Sequence, residues 1–438
     1  MRRALLALSC GVALLLCGAA VSAQDADIPR VTVLRVEGPI DRVVERYVLD
    51  GLASAERSGA TVVLELDSPG TLDVDPVALA TRVHAARVPV VVWIGPTPAT
   101  GAGAGLLLAH AASIAGVAPG AGVGPLLPLD VAHPDRAAAR VEDLVLAWTA
   151  ERGRAVPPIL GEAIPAQAAI DAGVVEVAAP SVTDLLAAID GETVATAAGD
   201  VVLRTRVATA EGERPVRVAF TSLGPADRVL HAAATPSSIY LLLVLGAAAL
   251  AFELTQPGFG FAGFSGLALA ALGAYGLTVV PASPAGLGLL GAGILASVLD
   301  VVRRRLDWLS ALGAIAFLAG SLLAFRGVAP AIAISPWLVG GATVASVLYY
   351  GFVLTVALQS RERITSTQEG LIGLVGETRS ELRPEGSVHV KGTLWRGRAA
   401  SGTIPAGTRV RVRGLDGLVL RVEAEAAPPT SEPEEEEA

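Results

Sequence analysis

Read by the spacing of its apolar positions, the chain falls into three stretches of different period. From Arg30 to about Gly191, short β-branched runs alternate with longer segments of helical spacing. Val31–Val36, Thr61–Leu66 and Pro89–Ile94 read as buried strands, with Asp41–Ser58, Pro76–Ala86 and Gly105–Ala112 as the helices between them. Ala138–Arg152 and Pro165–Ala172 continue the series as helices, and Val174–Val177 and Leu185–Asp190 close it. This rhythm predicts an α/β domain over 30–191, a parallel sheet covered on both faces. Residues 192–236 hold only scattered strand-like pieces, Val201–Val207 and Val216–Thr221, and are expected to be a connector.

From Ser238 the alternation gives way to continuous apolarity. Ser238–Leu254, Phe261–Val280, Ala285–Val302, Trp308–Phe325 and Ile334–Leu358 are each long enough to cross a hydrocarbon layer of about 30 Å as a helix. A five-helix transmembrane bundle over 237–358 is therefore expected. Arg303, Arg304 and Arg305 follow the third span and Arg361 and Arg363 the fifth, whereas no basic residue follows the second and Arg326 alone follows the fourth. That asymmetry places the ends of the odd spans in the cytoplasm. Beyond it, residues 365–425 change period again, to short alternating strands (Val388–Lys391, Arg409–Val412, Leu418–Val422) between Gly turns. The length and turn spacing suit a small all-β barrel, OB-fold or SH3-like.

Composition sharpens the membrane reading: 52% of residues are hydrophobic against 17% charged, and the mean hydropathy is +0.58. Arg2 and Arg3, the apolar run Ala4–Ala20 and the small-residue site Val21-Ser-Ala23 predict a signal peptide over 1–23, so the α/β domain is expected outside the cytoplasm. Both cysteines, Cys10 and Cys17, lie in that leader, which excludes disulfide, thiolate or Cys-based metal chemistry from the mature chain. The net charge of −9 is partly a tail effect, since five glutamates crowd the segment 426–438. Removing them from the 42 acids leaves 37 against 33 bases, so no nucleic-acid partner is implied, and the tail reads as disordered.

Within the first domain, Pro98-Ala-Thr-Gly-Ala-Gly-Ala-Gly105 and Ala118-Pro-Gly-Ala-Gly-Val-Gly124 flank a mostly apolar stretch. A glycine-rich turn feeding a helix is how a hydrolase exposes an activated hydroxyl beside free backbone N–H groups. Taken with Phe252-Glu-Leu-Thr-Gln-Pro-Gly-Phe-Gly260, Ile334-Ser-Pro-Trp337, Pro384-Glu-Gly386, Gly402-Thr-Ile-Pro-Ala-Gly407 and Leu64-Glu-Leu-Asp-Ser-Pro-Gly70, these strings resemble the long form of the NfeD family, membrane-bound serine proteases of the ClpP class. The resemblance implies a ClpP/crotonase-like exported domain, a transmembrane bundle and a C-terminal OB-fold. It also implies a stomatin- or flotillin-like membrane partner, a homo-oligomer and no cofactor.

The departures from the family fall on its chemistry. By that resemblance the nucleophilic serine falls on Gly103, and the oxyanion-like N–H groups fall on Gly70, Thr71 and Ala104, with Thr71 replacing a glycine. The general base, a lysine in the family, falls near Arg136 or Arg140. Arginine stays protonated and cannot take a proton. The sole lysine of the chain is Lys391, in the C-terminal domain. A substitute pair of Thr100 or Ser113 with His110 or His133 can be drawn, at the cost of moving the nucleophile off the oxyanion donors. Their simpler roles are packing and local backbone bonding. His84 reads as a surface residue, and His231 and His389 lie elsewhere, so no metal site forms.

Glu253 is expected to accept N–H bonds from the Pro-Gly-Phe-Gly turn. Trp308, Trp337, Tyr240, Tyr349 and Tyr350 read as interfacial anchors. Arg396, Arg398, Arg409, Arg411 and Arg413 resemble a basic OB surface without the aromatic platforms that bind single strands, apart from Trp395. The reading is a degenerate serine protease acting as a scaffold or regulator of membrane-protein assembly and quality control. The alternative is an active endopeptidase cleaving hydrophobic peptides of a stomatin-like partner. A transporter would need polar residues within the spans, and only Glu253 and the stretch Arg303–Asp307 approach that.

Overall fold

A computed structural model of the chain describes residues 30–134, 141–151, 162–209, 212–254, 260–303, 308–354, 356 and 369–425. The expected leader 1–23 and tail 426–438, Arg136, Arg140, Arg304, Arg305, Arg361, Arg363 and most of the turn after Glu253 lie outside the described residues.

The first domain begins with β1 (Arg30–Glu37), α1 (Arg42–Ser58), β2 (Thr61–Asp67), α2 (Pro76–His84) and β3 (Val90–Ile94). It continues through β4 (Thr100–Gly101), α3 (Ala104–Ala111), β5 (Ile114–Val117), β6 (Gly122–Val123) and α4 (Val141–Glu151). Then follow β7 (Ile164–Pro165), α5 (Ala166–Asp171), β8 (Val177–Ala178) and α6 (Val182–Ala188). All five residues of β3 are buried, as a central strand covered on both faces requires. Helix α1 starts where the Asp41 carboxylate accepts from the N–H groups of Val43 and Val44, at 3.0 and 2.9 Å, and stops at Gly59 in the left-handed region.

The stretch expected as a connector is structured differently. It forms two hairpins, β9 (Thr193–Thr196) with β10 (Gly199–Val202) and β11 (Arg206–Thr209) with β12 (Gly212–Pro215), and then β13 (Arg217–Thr221). Strand β13 lies parallel to β1, pairing Val31 with Val218, and completes a six-stranded parallel sheet in the order β13-β1-β2-β3-β5-β8. The strand-like piece read at Val216–Thr221 is this edge strand; what its spacing did not give was the partner, β1, about 190 residues earlier. The boundary of the first domain therefore extends past residue 191 to at least Thr221.

Helix α7 (Pro225–Ala232) leads into the membrane region, formed by α8 (Pro236–Glu253), α9 (Phe261–Leu277), α10 (Pro284–Arg303), α11 (Trp308–Ala324) and α12 (Pro336–Leu348). Three apolar stretches, Pro236–Glu253, Pro284–Arg303 and Pro330–Val353, are long enough to span, while α9 and α11 are 17 residues each. Helices α8 and α9 touch backbone to backbone: a Cβ placed on Gly266 would meet Leu250 N at 2.9 Å. Leu72, Val131 and Ala132 of the first domain are buried in one cluster with Ile239, Tyr240 and Ala329 of the helical region.

The C-terminal unit stands by itself. Strands β14 (Val375–Thr378), β15 (Glu385–Val390), β16 (Thr393–Ala399), β17 (Arg409–Asp416) and β18 (Val419–Ala424) close a barrel in the order β14-β15-β16-β18-β17 around Leu382, Val388, Val410, Val412, Leu420 and Val422. Its third and fifth strands run parallel, the arrangement of a five-stranded OB-type barrel.

Candidate functional site

The site lies at the carboxyl ends of the sheet strands, where open α/β sheets hold their ligands. Strand β2 ends in Asp67-Ser-Pro-Gly-Thr71, and β4 turns sharply into α3. Gly103 caps α3 with φ +54° and ψ −125°, a conformation that side-chain-bearing residues avoid. The turn from β4 into α3 is thus strained, and at Gly103 it carries no side chain. A Cβ built there would lie 2.5 Å from Pro128 O and 2.8 Å from Pro69 O. Serine does not fit this turn unless both carbonyls move.

The neighbouring N–H groups are largely engaged. Gly103 N–H donates to Pro125 O at 2.7 Å, and Gly70 N–H, at φ +142°, donates to the Ser68 hydroxyl at 3.3 Å. Thr71 is fully buried: its N–H reaches Leu129 O at 2.8 Å and its hydroxyl donates to the same carbonyl at 3.1 Å. Ala104 supplies the first N–H of α3, which no carbonyl of its own helix can accept. Beside these groups opens a cavity of about 720 Å³, walled by Asp67, Thr100 and Gly103 on one side and by Thr235, Ser237 and Ala329–Ala333 of the helical region on the other. No histidine, lysine or arginine lines it among the described residues. Asp67 accepts the Thr100 N–H at 2.9 Å.

Of the substitute nucleophiles and bases, Thr100 alone lines this cavity. Ser113 lies beyond the far end of α3, where its hydroxyl accepts from Val90 N–H at 3.4 Å, and borders a separate cavity with Glu151 and Glu176. His110 is buried in the last turn of α3. His133 sits 3.1 Å from Asp130. His84 stacks on Trp148 at 4.9 Å and lies 3.1 Å from Glu151, so it is tied to α4 rather than loose on the surface. His389 is in β15.

Three arrangements escaped the sequence reading. His231, on α7, places Nδ1 2.9 Å from the Asp41 carboxylate and Nε2 3.0 Å from the Glu37 carbonyl. Burial opposes its charge, but the Asp41 carboxylate and Glu37 outweigh burial and raise its pKa. Asp41 was visible as a helix start; its partner 190 residues away was not. Asp300 is buried within α10 and accepts from the Ser310 hydroxyl at 2.5 Å, so polar groups inside the spans are not confined to Glu253 and Arg303–Asp307. On the barrel, the arginines form ion pairs: Arg398 with Glu385 at 2.5 Å, Arg413 with Glu423 at 2.8 Å, and Arg411 with Glu425. Glu253 does accept from Gly260 N–H, and from Gly263 N–H at 2.7 Å, the entry to α9.

The family described as NfeD integral membrane domain matches residues 238–355, and that described as NfeD-like C-terminal, partner-binding domain matches 368–423. The membrane-bound protease PH1510 of Pyrococcus horikoshii is 25% identical over 426 residues, covering 90% of this chain and 92% of that protein. A solved structure described as 1510-N membrane protease specific for a stomatin homolog, from the same organism, is 20% identical over 46% of this chain and 97% of its own, with a TM-score of 0.35. The C-terminal domain of stomatin operon partner protein 1510-C, also from that organism, is 45% identical over 14% of this chain and 94% of its own, with a TM-score of 0.13. The chain thus combines an α/β domain built on a six-stranded parallel sheet, an integral membrane domain and a small β-barrel.

Proposed function

Because the chain belongs to the NfeD family in its long form, we propose that its first domain is a degenerate serine protease that has become a scaffold or regulator of membrane-protein assembly and quality control. One observation carries the reading: at the position of the nucleophile there is neither a hydroxyl nor room for one, since a Cβ on Gly103 meets two carbonyl oxygens at 2.5 and 2.8 Å. Acyl transfer needs a nucleophile, a base within hydrogen-bond reach and free oxyanion donors. Thr71, one of those donors by position, spends its N–H on Leu129. The region expected to supply the base offers Arg136 and Arg140, which hold their protons.

The partner-binding description of the barrel family supports a stomatin- or flotillin-like membrane protein as the partner, and oligomerisation of the chain belongs to the same proposal. In the same proposal the N-terminal domain is exported and, with five spans, the barrel is left in the cytoplasm; the arginines after the third and fifth apolar stretches support it. An active endopeptidase is favoured by one fact, that PH1510 is named a protease at 25% identity over nearly the whole chain. A fluorophosphonate probe applied to the full chain in detergent separates the two. No covalent label is expected on any Ser or Thr; a stoichiometric label on one of them overturns the degenerate reading.

A further inference from the structure

The segment after β6 occupies the cleft as a bound strand would. Pro125 O accepts the Gly103 N–H at 2.7 Å. Pro128 O stands over the face of Gly103 from which a side chain would project. Leu129 O takes the Thr71 N–H at 2.8 Å, and Val131 N–H donates to Thr71 O at 2.9 Å, so Thr71 and Asp130 form a parallel β-bridge. Thr71 also forms a parallel bridge with Ile40, and Leu72 N–H donates to Ile40 O at 2.8 Å. The edge that follows β2 is therefore paired on both sides by the chain itself. Val131 O in turn accepts the N–H of Ala329, in the stretch between α11 and α12, at 2.8 Å. A ladder runs from Ile40 through Thr71 and Val131 to the helical region.

We propose that residues 126–131 are an internal occupant of the cleft, closing its strand edge to extended peptides, and that Ala329 holds them there. An extended peptide laid across this elbow draws its affinity from the N–H and C=O of an open edge, and here those groups are spent. The occupant is well anchored: Leu126 and Val131 are fully buried, and prolines at 125 and 128 bring no N–H that would need a partner. Its outer end is fastened to the membrane-side loop, so displacement of that loop is what opens the cleft. The proposal rests on the degenerate reading for its meaning as regulation, but not for its geometry.

Ala329 has φ −60°, the angle proline enforces, so Ala329→Pro deletes the N–H given to Val131 while sparing the backbone conformation. Amide hydrogen exchange on the full chain in lipid nanodiscs reads the strand directly. In the parent, the Thr71 and Val131 amides are expected to exchange slowly, and a fluorescein-labelled apolar decapeptide is expected not to bind. In Ala329→Pro both amides should exchange about tenfold faster and the decapeptide should bind saturably, with exchange across β2, β3 and the barrel unchanged. Val131→Pro, which removes the bond to Thr71 O, should act the same way by an independent route, and Ala329→Gly, which keeps the N–H, should behave as the parent. Equal Thr71 exchange in parent and both proline variants, or decapeptide binding by the parent as tight as by the variants, overturns the proposal. Fluorophosphonate labelling of the same samples reports on the degenerate reading separately, since a labelled chain with a protected Thr71 amide would sink that reading and leave the strand in place.

Discussion

Gly103 sits where the backbone admits no side chain. Its φ of +54° is open to glycine and costly to anything else, and the added Cβ would press on two carbonyl oxygens. Gly103→Ser is accordingly expected to lower stability by about 1–3 kcal/mol, read as a drop in thermal midpoint of the full chain in detergent. The same variant should show no casein or peptide cleavage, because Thr71 spends its N–H on Leu129 and Asp67, the one carboxylate lining the cavity among the described residues, already accepts the Thr100 N–H. Gain of turnover by this one change would contradict the account. The glycine-rich turn and the helix after it were legible in the sequence; the pressure from Pro128 O was not, because that carbonyl arrives from 25 residues later.

Elements are held at their ends as much as along their faces. The Glu253 carboxylate at the end of α8 accepts N–H groups from the first turn of α9, an N-terminal cap supplied by the preceding helix. Replacing it in Glu253→Gln keeps the shape and removes the charge that favours a helix N-terminus, at a cost of about 1 kcal/mol, measurable as a lower detergent-denaturation midpoint. Gly266→Leu should do more damage, since its Cβ would strike the α8 backbone at Leu250 N, 2.9 Å away, and separate the hairpin. On the barrel, Arg398, Arg411 and Arg413 are each engaged by a carboxylate and only Trp395 offers a stacking platform, so no tight binding of a single-stranded oligonucleotide is expected at physiological salt. Tight binding of such an oligonucleotide would show that the ion pairs open.

At the scale of the molecule, the joint between His231 and Asp41 ties α7, just ahead of the first membrane helix, to the start of α1. Because the folded-state pKa of His231 is raised above its ordinary 6.5, the stability it lends is complete below that value and is lost as pH climbs through the raised one. Thermal midpoints of the parent should therefore fall with rising pH across that window relative to His231→Gln, in which the difference disappears. A parent and variant with parallel pH profiles would show that the joint carries no such coupling. The barrel, with a core of its own around Val388, Val410 and Val422, is expected to fold when residues 369–425 are expressed alone, giving dispersed amide resonances and a cooperative melt.

The three architectures were legible in the order of residues alone, because strand, membrane helix and barrel strand each declare themselves through the spacing of neighbours a few residues apart. The role of the Glu253 carboxylate was readable as well, since it sits beside the turn whose N–H groups it accepts. It took the folded chain to show that β13 completes the sheet, that His231 answers Asp41, and that residues 126–131 lie across the turn at Gly103. Those partners are brought together from up to about 190 positions apart by burial of the surrounding core, and no local period records which distant carbonyl will meet a given N–H.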